Sequence, residues 1–199
     1  MTLEQKVLRR VKRLGAGAVF TRADFVDLAS THAIGMVFQR LLRKRRLRRV
    51  ARGLYDVPRS HPMVGQLSAK SDEIARAIAR RDGLRLEPTE AQAANLLNLS
   101  EQVPARIAYA TNRRGRRLKV GGRSIEFQQR SSRQMAAGRD STLVMAALRS
   151  LGPRQIKTHH IAHLRKLLPS ADRRRLLKDL RYAPAWMHPH LREIAAVKP

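Results

Sequence analysis

Residues 30–57 read Ser30-Thr31-His32-Ala33-Ile34-Gly35-Met36-Val37-Phe38-Gln39-Arg40-Leu41-Leu42-Arg43-Lys44-Arg45-Arg46-Leu47-Arg48-Arg49-Val50-Ala51-Arg52-Gly53-Leu54-Tyr55-Asp56-Val57. The first half predicts a helix from Ser30-Thr31 to about Arg45. Ile34, Val37, Phe38 and Leu41 recur along it at the spacing of one buried face. The second half predicts a hairpin. Two short runs, 47–50 and 54–57, flank Ala51-Arg52-Gly53, where glycine can take the positive φ that tight turns often need.

Upstream, Leu3, Val7, Leu8, Val11 and Leu14 predict a helix over Leu3–Leu14, stopped by Gly15-Ala16-Gly17. Val19-Phe20 is a short extended piece. Thr21 then reads as an N-cap with Asp24 in the acid position of a capping box, opening a second helix with Phe25, Val26 and Leu28 inward. Helix, short strand, helix, turn, helix, hairpin is the order of a winged helix-turn-helix. Pro58 to Ser71, with two prolines and little periodicity, reads as a connecting arm. The expected organisation is therefore a DNA-binding domain over 1–60, a linker over 61–71 and a second domain over 72–199.

That second part predicts a helix over 72–81, a strand at 84–86, a helix from Pro88-Thr89-Glu90 to Leu97 and a strand at 106–111. A hairpin comes next, Leu118–Val120 and Ser124–Phe127 around Gly121-Gly122. Four helical runs close the chain: 143–151, 159–168, 171–180 and 186–197. The fold class expected is α+β, an N-terminal winged helix-turn-helix followed by a mixed α/β domain ending in a helical segment.

The chain carries 42 Lys and Arg against 15 Asp and Glu, a formal charge of +27 in 199 residues. A surplus of that size repels itself in the folded state and points to a polyanion, nucleic acid first. It is spread: residues 1–62 hold 15 bases against 4 acids, and residues 63–199 hold 27 against 11. Either both halves lie near the polyanion or the second meets an acidic partner. There are no cysteines, which removes disulfides, thiolate metal sites and cysteine nucleophiles. No apolar run approaches a membrane span and no signal core follows Met1, so the expected location is the cytoplasm, with no membrane partner.

With Ile34, Val37, Phe38 and Leu41 inward, His32, Met36, Gln39 and Arg43 line the opposite face, with Arg40 beside them. Donors, an amide and a soft apolar group on one stripe suit base edges in the major groove: Arg to guanine, Gln to adenine, an apolar contact to thymine methyl. A merely solvated face is the plain alternative. The residues after the helix shift the balance. Lys44, Arg45, Arg46, Arg48, Arg49 and Arg52 come with no acid among them, yet Leu41, Leu42, Leu47, Val50 and Leu54 punctuate the run as in a folded segment. These cations are expected to grip phosphates while the helix reads sequence. A second basic patch, Arg113, Arg114, Arg116, Arg117, Lys119 and Arg123, surrounds a glycine-containing turn. It reads equally as a clamp for phosphates of DNA or RNA, the latter making an RNA-binding accessory protein, or as a solvated loop. Tyr55, Tyr109, Phe127 and Trp186 are too sparse for a base-stacking platform.

His159 and His163 have the spacing of a helical zinc pair, and His160 lies between them. No catalytic Glu intervenes and a full ligand set is missing, so surface histidine is the reading preferred over a metal-dependent hydrolase or nuclease. Gly115-Arg116-Arg117-Leu118-Lys119 is no P-loop, and Gly121-Gly122-Arg123-Ser124 lacks the paired Asp that phosphoryl transfer wants. No enzyme, metal or cofactor is expected.

Several segments in order resemble AbiEi-type antitoxins. They are Val50-Ala51-Arg52-Gly53-Leu54-Tyr55-Asp56-Val57-Pro58 after a basic helix, and Ala75-Arg76-Ala77-Ile78-Ala79-Arg80-Arg81. Next come Pro88-Thr89 leading to Ala93-Ala94-Asn95-Leu96-Leu97-Asn98-Leu99-Ser100, and Gln102-Val103-Pro104-Ala105 with a strand ending at Thr111. Arg181-Tyr182-Ala183-Pro184-Ala185-Trp186 is the last. The resemblance spans nearly the whole chain. It implies a winged helix that binds inverted repeats upstream of its own operon and represses it; such repeats suit a dimer on DNA and equally a monomer that binds cooperatively. It implies a C-terminal α/β domain that counteracts a cognate nucleotidyltransferase toxin encoded beside it. By the same resemblance, Ser30 to Arg46 would be the recognition helix and Arg48 to Arg52 the wing.

Overall fold

Thr2 and Gln5 cap each other's backbone, and helix α1 runs over Leu3–Leu14 until Gly15 turns the chain at φ +90°. Val7 and Val11 are buried and Leu14 stays exposed. In the computed structural model residues 1–102, 106–120 and 122–196 are described. Val103-Pro104-Ala105 of the second-half motif, Gly121 of the second turn and Val197 at the expected end of the last helix lie outside the described residues. The architecture is mixed α+β, helices with small sheets.

The chain's contacts divide it into two units, Met1–Arg85 with Arg117–Ile125, and Leu86–Arg116 with the chain from Glu126 on. The first unit holds α1, α2 (Thr31–Arg43), the hairpin β1 (Arg48–Ala51) and β2 (Leu54–Asp56), and a second hairpin β3 (Arg59–His61) and β4 (Gly65–Leu67). Helix α3 (Ser71–Asp82) completes it. Phe20 exchanges both backbone hydrogen bonds with Tyr55 at 2.9 Å, so the extended piece at 19–20 lies against β2.

Two local elements of the first unit differ from the sequence reading, and α3 and residues 117–125, expected in the second domain, group with it. The second helix is one 3-10 turn, Arg22–Phe25. Asp24 accepts from the Thr21 backbone N–H at 2.7 Å as expected, but Val26 is exposed and Ser30 caps the next helix before a second turn can form. The segment expected as a linker over 61–71 contains β4 and the turn into it. Three-residue strands reading Arg-Ser-His and Gly-Gln-Leu carry no alternation by which to see them.

The core of the first unit is aromatic. Phe38 of α2 lies edge-on to Phe20, Phe25 and Tyr55, with ring centroids 6.0, 5.3 and 5.0 Å away. Val7, Val11, Ile34, Val37, Leu41 and Leu47 pack with them. Edge-to-face aromatic pairs add about 0.5–1.5 kcal/mol each beyond their burial.

The second unit has an aliphatic core. Strands β5 (Leu86–Pro88), β6 (Ile107–Thr111), β7 (Arg116–Val120) and β8 (Arg123–Gln129) form a sheet in the order β5-β6-β8-β7. Residues 117–125 of the last hairpin group with the first unit. Helices α4 (Glu90–Leu96) and α6 (Arg139–Leu151) share a core through small residues, Ala93 and Ala94 with Ala146 and Ala147. Around them pack α7 (Thr158–Leu167), α8 (Ser170–Asp179) and α9 (His188–Ala195). A five-residue α5 (Ser132–Ala136) was not expected; Ser131 and Gln134 cap it as a box too short to show periodicity.

Candidate nucleic-acid interface

The rotational phase of α2 decides which side chains face solvent, and Phe38 fixes it. With Phe38 enclosed by three rings, Ile34, Val37 and Leu41 are also fully buried. His32, Met36, Gln39, Arg40 and Arg43 are all exposed. At 100° per residue His32, Met36, Gln39 and Arg43 fall within about 60° of one another. Nearly half of the Met36 surface is open, 47%, although an apolar side chain gains nothing from exposure to water.

All four acids of residues 1–62 are already paired. Asp27 pairs with Arg10, Asp24 with Arg80 at 3.3 Å and Glu4 with Lys44 at 2.8 Å and Arg40 at 3.9 Å. The Lys44 hydrogen bond holds the Glu4 carboxyl below its ordinary value. The fourth, Asp56, is wholly buried and takes Arg48 through both oxygens, at 3.0 and 2.5 Å. That bond raises the Arg48 guanidinium above its ordinary value.

The run at 40–52 therefore splits. Arg48 is an internal strut of the hairpin, where a phosphate contact was expected of it. Arg40 and Lys44 lean on α1. Arg43, Arg45, Arg49 and Arg52 are exposed with no carboxylate partner among the described residues, and Arg46, also exposed, meets Glu4 only through its charge. Arg52 stands at the turn beside Gly53, whose φ is +75°.

Arg45 sits where α2 ends, at φ +54°. The Arg46 N–H donates to the Leu41 carbonyl at 2.9 Å and the Arg45 N–H to that of Leu42 at 3.0 Å. This Schellman pattern normally takes glycine at the left-handed position. A non-glycine residue held there costs about 1–3 kcal/mol.

The cations of the second basic patch are all exposed. Arg113 and Arg114 are exposed beyond β6. Arg116 lies 5.5 Å over the Phe127 ring. Arg117 and Lys119 are exposed on β7. Arg123 donates to the Ala69 carbonyl at 3.3 Å and lines a hollow of 180 Å³ with Arg48 and Arg49. Sequence reasoning treated this hairpin and the wing cations as separate clusters; Arg123 belongs with the latter.

The histidines have local roles. The Lys157 backbone N–H donates to His160 Nδ1 at 3.1 Å, capping α7, and His163 Nε2 meets the Leu97 carbonyl at 3.0 Å. Among the described residues no group of three His, Asp or Glu is placed to hold a metal ion. No helix among them is long and apolar enough to cross a membrane.

A family model covers residues 6–176, both units included. The chain belongs to DUF6088, a family of unknown function. No curated protein matches it. Among solved structures it is similar to the RV2827C protein from Mycobacterium tuberculosis at 18% identity, over 94% of this chain and 75% of that one. The TM-score is 0.40, a likeness too loose to carry fold or function. Family membership thus leaves the chemistry of the site to be argued from its residues.

Proposed function

We propose that this DUF6088 protein binds double-stranded DNA sequence-specifically as a winged helix-turn-helix repressor. In this reading α2 lies in the major groove and the β1–β2 hairpin is the wing. One observation carries it: α2 is locked by Phe38 so that His32, Met36, Gln39 and Arg43 form an exposed mixed stripe, flanked by cations that no carboxylate neutralises. Base edges need such a stripe and phosphates need such cations. The test is a salt-titrated mobility shift on the DNA upstream of the protein's own gene, against a scrambled duplex and with tRNA as competitor. About six phosphate contacts give a slope of roughly −5 in log K against log salt. Preference for the upstream duplex supports the reading; equal binding to both duplexes with easy displacement by tRNA overturns it in favour of RNA binding.

The order of segments shared with AbiEi-type antitoxins extends the proposal to an autorepressor that counteracts a nucleotidyltransferase toxin encoded beside it, the second unit carrying that role. Co-expression with the neighbouring gene product tests this directly. Restored growth supports it, and unrelieved toxicity refutes it.

A further inference from the structure

Beside the exposed stripe of α2 the surface opens into a hollow of 160 Å³, several times the share of one water molecule, about 30 Å³. Phe38, Leu42 and Tyr55 form its apolar lining, and Arg22, Gln39 and Arg49 its polar one. Arg22 comes from the 3-10 turn, Gln39 from α2 and Arg49 from β1. No carboxylate lines it.

Its donors are free. Arg22 and Gln39 have no side-chain partner among the described residues, and Arg49 makes only a long contact, 3.4 Å, to the Ala51 carbonyl of its own hairpin. The neighbouring hollow at Arg123 differs: there Arg48 is taken by Asp56 and Arg123 by Ala69. Gly35 lines the first hollow beneath Arg22. A Cβ at this position would stand 3.0 Å from Arg22 Nη1, so the guanidinium lies across the bare backbone of α2. A glycine inside a helix costs about 1 kcal/mol relative to alanine, and here it seats a cation. Two guanidiniums and an amide over apolar walls form a site for an oxyanion, since guanidinium only donates and low-dielectric walls strengthen charge-assisted bonds.

We infer that Arg22, Gln39 and Arg49 form a socket for a phosphate group, filled by a backbone phosphate at the rim of the groove that α2 enters. The assignment to DNA rests on the proposed function; the socket's affinity for phosphate does not. Gln39 then serves both surfaces, and Arg22, which no basic run marks in the sequence, becomes a positioning contact that sets the helix's register.

Two measurements on the full chain separate these claims. Pyrophosphate titrated into the protein, followed through arginine Nε–H resonances assigned with Arg22→Ala and Arg49→Ala, is expected to move those two signals saturably. Uniform movement of all arginines overturns the socket. In the duplex assay, Arg22→Ala is expected to weaken upstream and scrambled DNA by the same factor, roughly tenfold at low salt, and to make the salt slope shallower by about 1. Arg22→Lys should recover part of the loss. An unchanged slope and affinity in Arg22→Ala overturns the assignment of the socket to a DNA phosphate while leaving DNA binding standing. Saturable pyrophosphate shifts in a chain that binds no duplex would uphold the socket and remove DNA as its source of phosphate.

Discussion

Two helices of this molecule end in the same hydrogen-bond pattern with opposite choices of residue. At the end of α4 the left-handed position is Asn98, φ +52°, with Leu99 N–H bonding the Ala94 carbonyl at 2.8 Å. Asparagine tolerates that conformation. At the end of α2 the position is Arg45, which does not. The first end follows backbone preference. The second departs from it and places a cation between a helix and a hairpin, where phosphates are proposed to bind.

The contrast holds only if α2 is rigid up to its end, and the largest expected effect tests that. Phe38→Ala removes the hub of four rings and should cost about 3–5 kcal/mol, read by denaturant unfolding; a loss under about 1 kcal/mol would mean the phase of α2 is set elsewhere. Next, the contrast requires that the basic run hold two kinds of arginine. Arg48→Ala leaves Asp56 buried and unpaired and should destabilise by about 3 kcal/mol, whereas Arg49→Ala or Arg52→Ala, on exposed side chains, should change stability by less than about 0.5 kcal/mol. Equal effects would erase the distinction.

The helix ends themselves come third. Arg45→Gly should raise stability by about 1 kcal/mol and make the salt slope of DNA binding shallower by about 1; Asn98→Gly should change stability by only a few tenths. A destabilised Arg45→Gly would contradict the account of strain.

The smallest effect is a pH effect away from both ends. Burial, followed by the charges of His159, Lys157 and His163, pulls the His160 imidazole below its ordinary value, and its neutral Nδ1 accepts the capping bond. The unfolded chain takes this proton first. The cap's contribution is therefore whole above about pH 6.5 and is lost as pH falls through the lowered value. Melting temperatures at about pH 7.5 and 5.5, on either side of that range, should differ less in His160→Ala than in the wild type.

The elements that position the site were legible in the sequence, because α1 and α2 carry strong periodicity and recognisable caps. The Arg48–Asp56 pair was not. Counting back from the Arg52-Gly53 turn places Arg49 opposite Asp56, but a bulge between Arg49 and Ala51 moves the register by one and puts Arg48 there. Nothing local announces a bulge at Val50. Arg22 was missed for a different reason: its role depends on Gly35 thirteen residues on, and only the fold lays one across the other. Residues 59–67 hid their hairpin behind prolines and strands too short to alternate.

If the exposed stripe of α2 reads bases, sequence preference must depend on its side chains. The ratio of affinities for the upstream and scrambled duplexes, measured at one salt concentration for the wild type and for Gln39→Ala with Arg43→Ala, tests it most directly. The double substitution should collapse the ratio toward one, with melting temperature unchanged and binding to the scrambled duplex weakened far less. A ratio preserved in the double variant would contradict it.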